Sequence, residues 1–162
     1  KLTGFVVNRC HTTARSAFLV SLITMLVAFF NWGLGLIFGA ILARKVGEKL
    51  HLEGKDFNYP LIAAAGYSGL MVWHGGLSGT STLKVAEAKH EFVDKIGVIP
   101  VSDTIFSTMN MTTSILLLIL VPLTLYFLGK KFKEQNSFYF VIKPEEQPKR
   151  KSTAIGFSKL DH

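Results

Sequence analysis

The chain has a single cysteine, Cys10, so it can form no internal disulfide and no thiolate cluster for a metal. No HExxH or comparable spacing joins His74, His90 and Asp103, so neither a metal site nor a cofactor is predicted. Charge is scarce: Asp, Glu, Lys and Arg make up 18 % of the residues, against 49 % hydrophobic. Three stretches carry none of the four, namely Ser16–Ala43 (28 residues), Phe57–Leu83 (27) and Thr104–Gly129 (26). A bilayer-spanning helix needs about 20 mainly apolar residues, so each stretch is long enough. Three of them in so short a chain exclude an ordinary water-soluble domain. They predict an all-α, polytopic integral membrane protein with about three hydrophobic spans.

The net charge of +7 would suit nucleic acid if it formed one surface, but it does not. Eight of the eighteen Lys and Arg residues follow Gly129, in a polar tail. No nucleic-acid partner is predicted. Basic residues beside membrane spans are better read as topology signals, the more basic side facing the cytoplasm. With three plain spans, residues 1–15 and 84–103 share one side with six Lys/Arg, and residues 44–56 and 130–162 share the other with twelve. That places the second pair in the cytoplasm, and a re-entrant hairpin in any run would invert the assignment. The expected organisation is a membrane domain over 1–129 and a polar, basic, cytoplasmic loop or tail over 130–162. The chain opens with Lys1, shows no signal-peptide pattern and stops within a polar segment, so it is expected to be an interior piece of a longer protein.

Within the runs, breaks matter more than apolar length. As one helix, Ser16–Ala43 would be about 42 Å long at about 1.5 Å per residue, against a bilayer core of about 30 Å. It must tilt, protrude or break, and Asn31-Trp-Gly-Leu-Gly35 is the obvious interruption. Gly35 and Gly39 also form a GxxxG pair suited to close helix packing. Residues 44–56 read as a charged loop, Pro60 as a helix start, and 84–95 as a surface helix or loop. Ile115–Leu128 reads as a helix with a kink expected at Pro122. The second run breaks at Trp73-His-Gly-Gly-Leu-Ser-Gly-Thr-Ser-Thr-Leu83. Two charge-free runs thus carry a Trp-Gly or Trp-His-Gly break. Irregular backbone survives at membrane depth only where protein buries it or a cavity borders it, so residues 73–83 are a candidate for holding something polar inside a membrane.

Two chemistries compete for that break. Gly76-Leu-Ser-Gly79 fits the GxSG pattern of rhomboid-type intramembrane serine proteases, but such an enzyme needs a histidine base. The histidines after Ser78 are His90, in a charged loop, and His162, in the tail, and the last apolar helix has none. A transport site fits better. Small anions inside membranes are often held by interrupted helices whose amides and hydroxyls face the ligand. Gly75, Gly76 and Gly79 can expose amides, and Ser78, Thr80, Ser81 and Thr82 add hydroxyls. His74 either bonds a carbonyl at a helix end or acts on the ligand, since histidine as a residue type can pair with a carboxylate or carry a coupling proton.

The blocks Asn31-Trp-Gly-Leu-Gly-Leu-Ile-Phe-Gly-Ala-Ile-Leu-Ala-Arg44, Tyr59-Pro-Leu-Ile-Ala-Ala-Ala-Gly-Tyr-Ser-Gly69, Val72-Trp-His-Gly-Gly-Leu-Ser-Gly79 and Gly97-Val-Ile-Pro-Val-Ser-Asp-Thr-Ile-Phe-Ser107, followed by Asn110, closely resemble the bacterial short-chain fatty acid transporters, the acetoacetate and butyrate carriers. The resemblance covers roughly residues 11–125. This chain departs from the family's usual Ser-Gly-Ser with a following proline, reading Ser78-Gly-Thr-Ser-Thr-Leu83. The resemblance implies a multi-pass secondary transporter of the bacterial inner membrane, related in fold to the ion transporter superfamily, with helical hairpins and two structural halves. It implies a small carboxylate substrate, a proton or sodium ion as coupling partner and a lipid bilayer as surroundings, and it allows a homo-oligomer. The expected substrate-binding residues are His74, Gly75, Gly76, Ser78 and Gly79, followed by Asn31, Trp32, Ser107 and Asn110.

Overall fold

In a computed structural model, residues 2–132 are described, with side chains from Gly4 onward, and they contain helices and no strand. The helices are α1 (Leu2–Arg9), α2 (Thr13–Phe30), α3 (Trp32–Leu52), α4 (Tyr59–Tyr67), α5 (Thr80–Lys84), α6 (Val93–Ile96) and α7 (Thr108–Lys131). A 3-10 turn, Ser68–Met71, tightens the end of α4. The Thr12 hydroxyl caps α2 by accepting from the Arg15 amide, where the His11-Thr-Thr13 start was expected. Asn58 caps α4 by accepting from Leu61 at 3.1 Å, with Pro60 in its first turn.

A single residue separates α2 from α3. Asn31 is extended (φ −149°, ψ 113°), its amide closes α2 on the Val27 carbonyl, and its side chain caps α3 by accepting from Leu34 at 2.9 Å. The chain therefore reverses, and α3 returns antiparallel along α2. A Cβ at Gly35 would press on Ala28, and one at Gly39 would collide with the Gly66 carbonyl and the Thr24 methyl. The GxxxG pair thus works in packing, Gly35 on α2 and Gly39 at the crossing of α2, α3 and α4. Helix α7 also lies antiparallel to α2, with Gly129 against Ala14 and with Leu117, Leu118 and Val121 packed on Met25, Ala28 and Val72. Helix α2 is the axis of the bundle, and the main core gathers Val20, Leu42, Val46, Ile62 and Ala65 around it.

Two helices, α2 and α7, are long and apolar enough to cross a membrane, by length and composition. At about 1.5 Å per residue α2 is about 27 Å long and α7 about 36 Å, close to a bilayer core of about 30 Å. Helix α7 buries Ser114, Pro122 and Gly129, leaves most of its apolar surface facing outward, and continues through Pro122. The remaining charge-free residues do not form a third straight span. Phe57–Leu83 folds as the nine-residue α4, the 3-10 turn and a break. Arg44–Leu52, expected as loop, continues α3, because its apolar positions Val46 and Leu50 face the core while Arg44 pairs with Glu48 at 2.8 Å.

The hairpin also changes which segments share a side. Residues 9–15, the end of α3, residues 53–58 and the end of α7 meet at one end of the bundle. Buried Asn58 ties them, its amide donating to Thr13 Oγ1 (3.1 Å) and its Nδ2 to the Phe132 carbonyl (3.4 Å). Lys49 Nζ donates to the carbonyls of Val7, Asn8 and Cys10 at 2.9, 3.3 and 3.1 Å, satisfying the end of α1. Segment 1–15 was expected opposite residues 44–56. It lies beside them because α2 and α3 form a hairpin rather than one span. Residues 133–162, and with them nearly all of the expected polar tail, lie outside the described residues.

Gly39→Ala is expected to cost about 1–3 kcal/mol, the usual range for overpacking a filled contact, because backbone rather than a movable side chain stands in the way. Thermal unfolding of the detergent-purified full-length protein measures this, with Gly4→Ala, which meets open space, as the unaffected control.

Candidate functional site

The breaks in the first two runs and the polar start of α7 meet at the end of the bundle opposite the basic one. The break at 73–79 is stitched to the α2–α3 junction by two hydrogen bonds. The Leu77 amide donates to the Phe29 carbonyl at 2.7 Å, and the Trp32 amide donates to Ser78 Oγ at 2.9 Å. A helix end leaves its last carbonyls and first amides without intrahelical partners. The break thus satisfies the end of α2 and the start of α3 together. Trp32 and Trp73, one from each interruption, meet edge to face with centroids 4.8 Å apart, and His74 stacks edge-on against Trp73 at 4.5 Å.

The start of α7 docks through Asn110. Its Nδ2 donates to the Gly75 carbonyl (2.9 Å) and to the Ile105 carbonyl (2.7 Å). Ser107 caps α7 by accepting from the Asn110 amide at 3.3 Å while its hydroxyl donates to the Thr104 carbonyl at 2.8 Å. The nine predicted site residues therefore lie together, linked through these contacts, at the meeting of three chain segments.

Several of them also have structural tasks in this arrangement. The glycines of the break have no positive φ; that conformation occurs at Gly54 and Gly97. They are glycines for closeness. A Cβ at Gly76 would strike the Phe29 carbonyl, one at Gly75 the Asn110 side chain, and one at Gly79 the His74 carbonyl and Thr82 hydroxyl. Asn110 spends both amide hydrogens on backbone carbonyls and so positions the break. Ser78 accepts one bond, which leaves its hydroxyl hydrogen free to donate.

What remains unspent is a set of donors. The amides of Gly75 and Ser78 donate to no acceptor among the described residues. The His74 ring is exposed and makes its one described contact by stacking, so among the described residues it makes no carbonyl bond at a helix end, one of the two roles open to it. The buried hydroxyl of Thr104, one turn before Ser107, has no hydrogen-bond partner among the described residues. No group in this set carries a fixed charge. The described partner of Ser78 is a backbone amide, whereas His90 is buried elsewhere, its Nε2 donating to the Gly97 carbonyl at 2.9 Å and its Nδ1 accepting from Phe92 at 3.1 Å. Among the described residues, Ser78 therefore has no histidine hydrogen-bonded to it as a base.

Sequence reasoning missed Trp73, Thr104 and the Phe29 carbonyl as parts of this constellation. The repeated Trp-Gly and Trp-His-Gly breaks carried a signal for Trp73. A backbone carbonyl leaves no signal in sequence.

The described residues thus form a helical bundle in which interrupted segments converge on uncharged hydrogen-bond donors. The short chain fatty acid transporter profile matches residues 1–154, and the chain belongs to that family. Over 115 residues it is 35 % identical to an Escherichia coli (strain K12) protein named "Putative short-chain fatty acid transporter", covering 71 % of this chain and 25 % of that protein. A Haemophilus influenzae protein of the same name is 29 % identical over 144 residues, covering 85 % of this chain and 31 % of its own length. The chain thus spans about a quarter to a third of the curated relatives it matches. No solved structure matches it.

Asn110→Ala is expected to leave two carbonyls without their donor and to cost about 1–3 kcal/mol. Asn110→Asp should behave alike, because an ionised carboxylate cannot donate. Thermal unfolding of the full-length protein reads both variants.

Proposed function

We propose that this chain is part of a secondary transporter in the bacterial inner membrane that moves short-chain carboxylates such as butyrate or acetoacetate. Its break end forms part of the substrate site. The observation that carries this reading is the convergence of Asn31–Trp32, His74–Gly79 and Ser107–Asn110, three polar segments far apart in sequence, at one place. A carboxylate there would meet the amides of Gly75 and Ser78, the Ser78 hydroxyl and the His74 ring, with the two tryptophans bordering its short apolar tail. Donors without a fixed charge suit weak, reversible binding, which a carrier needs in order to release its cargo. A proton or a sodium ion is the coupling ion for this reading.

The hairpin supports one topology for this reading. The end shared by Arg9, Arg15, Lys49, Lys55, Lys130 and Lys131 faces the cytoplasm by the positive-inside rule, as does the polar segment 130–162, and the break end lies deeper in the membrane. Residues 1–129 then belong to the membrane domain.

Vesicle uptake of labelled butyrate and acetoacetate, with and without an imposed pH or sodium gradient, tests this reading. Ser78→Ala and His74→Ala in the full-length protein should each lower uptake about tenfold or more, the loss expected for one hydrogen bond to a charged group, while the protein stays in the membrane. Uptake unchanged in both variants contradicts the assignment.

A further inference from the structure

The basic end of the bundle holds a second constellation, at the opposite end from the break. Two clefts flank the start of α2 and share His11, Arg15 and Tyr126. The larger, about 550 Å³, also reaches Lys55, Asp56 and Lys130 between α2 and α7. The smaller, about 340 Å³, is lined also by Arg9, Phe18 and Leu19. The cations Arg9, Arg15, Lys55 and Lys130 are exposed and form the polar rim, whereas Phe18, Leu19 and Tyr126 are half-buried, with Phe18 edge-on to Tyr126 at 6.2 Å.

The cations at this rim are short of anions. Lys55 pairs with Glu53 at 2.6 Å, but Arg9, Arg15 and Lys130 form no ion pair among the described residues. Arg9 lies over the Phe5 ring at 4.1 Å and Lys130 over the Tyr126 ring at 4.7 Å, contacts that hold the charges without neutralising them. Asp56 is the one carboxylate in the lining, set against Arg15, Lys55 and Lys130. An occupant with one negative phosphodiester and an apolar tail would match both parts. Basic pockets between membrane helices on the cytoplasmic side bind such headgroups.

We propose that the groove formed by Arg9, His11, Arg15, Phe18, Tyr126 and Lys130 binds an anionic phospholipid of the cytoplasmic leaflet, its phosphate among the cations and an acyl chain along Phe18 and Leu19. The apolar wall is the reason to choose lipid over free phosphate, which would use the rim alone. Held there, the lipid bridges the start of α2 to the end of α7, the two helices long enough to cross the membrane.

Native mass spectrometry of the full-length protein, offered equal amounts of phosphatidylglycerol and phosphatidylcholine, tests this. Retained phosphatidylglycerol should exceed phosphatidylcholine, and Arg15→Gln and Lys130→Gln should each lower the ratio about fivefold, the usual effect of one basic residue beside an anionic surface. Lys45→Gln, a cation outside both clefts, should leave the ratio unchanged. A parallel thermal-shift series with phosphatidylglycerol and with inorganic phosphate separates the two sources, and stabilisation by the lipid alone is expected. Equal retention of both lipids, an equal loss in Lys45→Gln, or full stabilisation by inorganic phosphate each overturns the proposal.

Discussion

Satisfaction of the backbone where α2 ends and α3 begins is the constraint on which the rest depends. A helix terminus within a bilayer cannot turn to water for the bonds its last turn lacks. Here the Asn31 side chain supplies one partner, and the 73–79 break supplies two more through Leu77 and Ser78. Once these bonds are fixed, α3 must fold back along α2, α4 must lead into the break, and the start of α7 must lie beside Gly75. A cluster of polar groups between apolar helices follows from the need to close these helix ends.

The glycines make that closure possible through size. Gly35, Gly39 and Gly66 let three helices cross at backbone distance, and Gly75, Gly76 and Gly79 let an irregular segment lie on helix ends and on itself. The same closeness uses up the polar groups that could compete with a ligand. Asn110 has no hydrogen left to donate to a substrate, whereas His74, the Ser78 hydroxyl and two amides of the break have theirs. The groups that position the break and the groups that keep a hydrogen to donate thereby belong to different residues.

Local grammar was legible in the sequence, and topology was not. The caps Thr12, Asn31, Asn58 and Ser107 are short polar residues placed before apolar runs, and they start the helices as such residues should. The break at 73–79 was visible as glycine within an uncharged run. The reversal at Asn31 was hidden, because a run of 28 charge-free residues reads equally as one tilted span or as a hairpin. From that ambiguity came the misplaced side for residues 1–15 and the loop expected at 44–56. The meeting of the site residues was recoverable only in part: the paired tryptophan breaks hinted at it, while the role of the Phe29 carbonyl belongs to backbone that no residue type announces.

The central claim is that a small carboxylate occupies the stitched break. Substrate protection at position 78 tests it most directly. In a full-length background with Cys10 and any other native cysteine replaced, and with uptake retained, the rate of maleimide labelling of Ser78→Cys is measured with and without saturating butyrate, with Lys55→Cys at the basic end for comparison. The account predicts slower labelling at position 78 and an unchanged rate at position 55. Labelling at position 78 that butyrate leaves unchanged would contradict it.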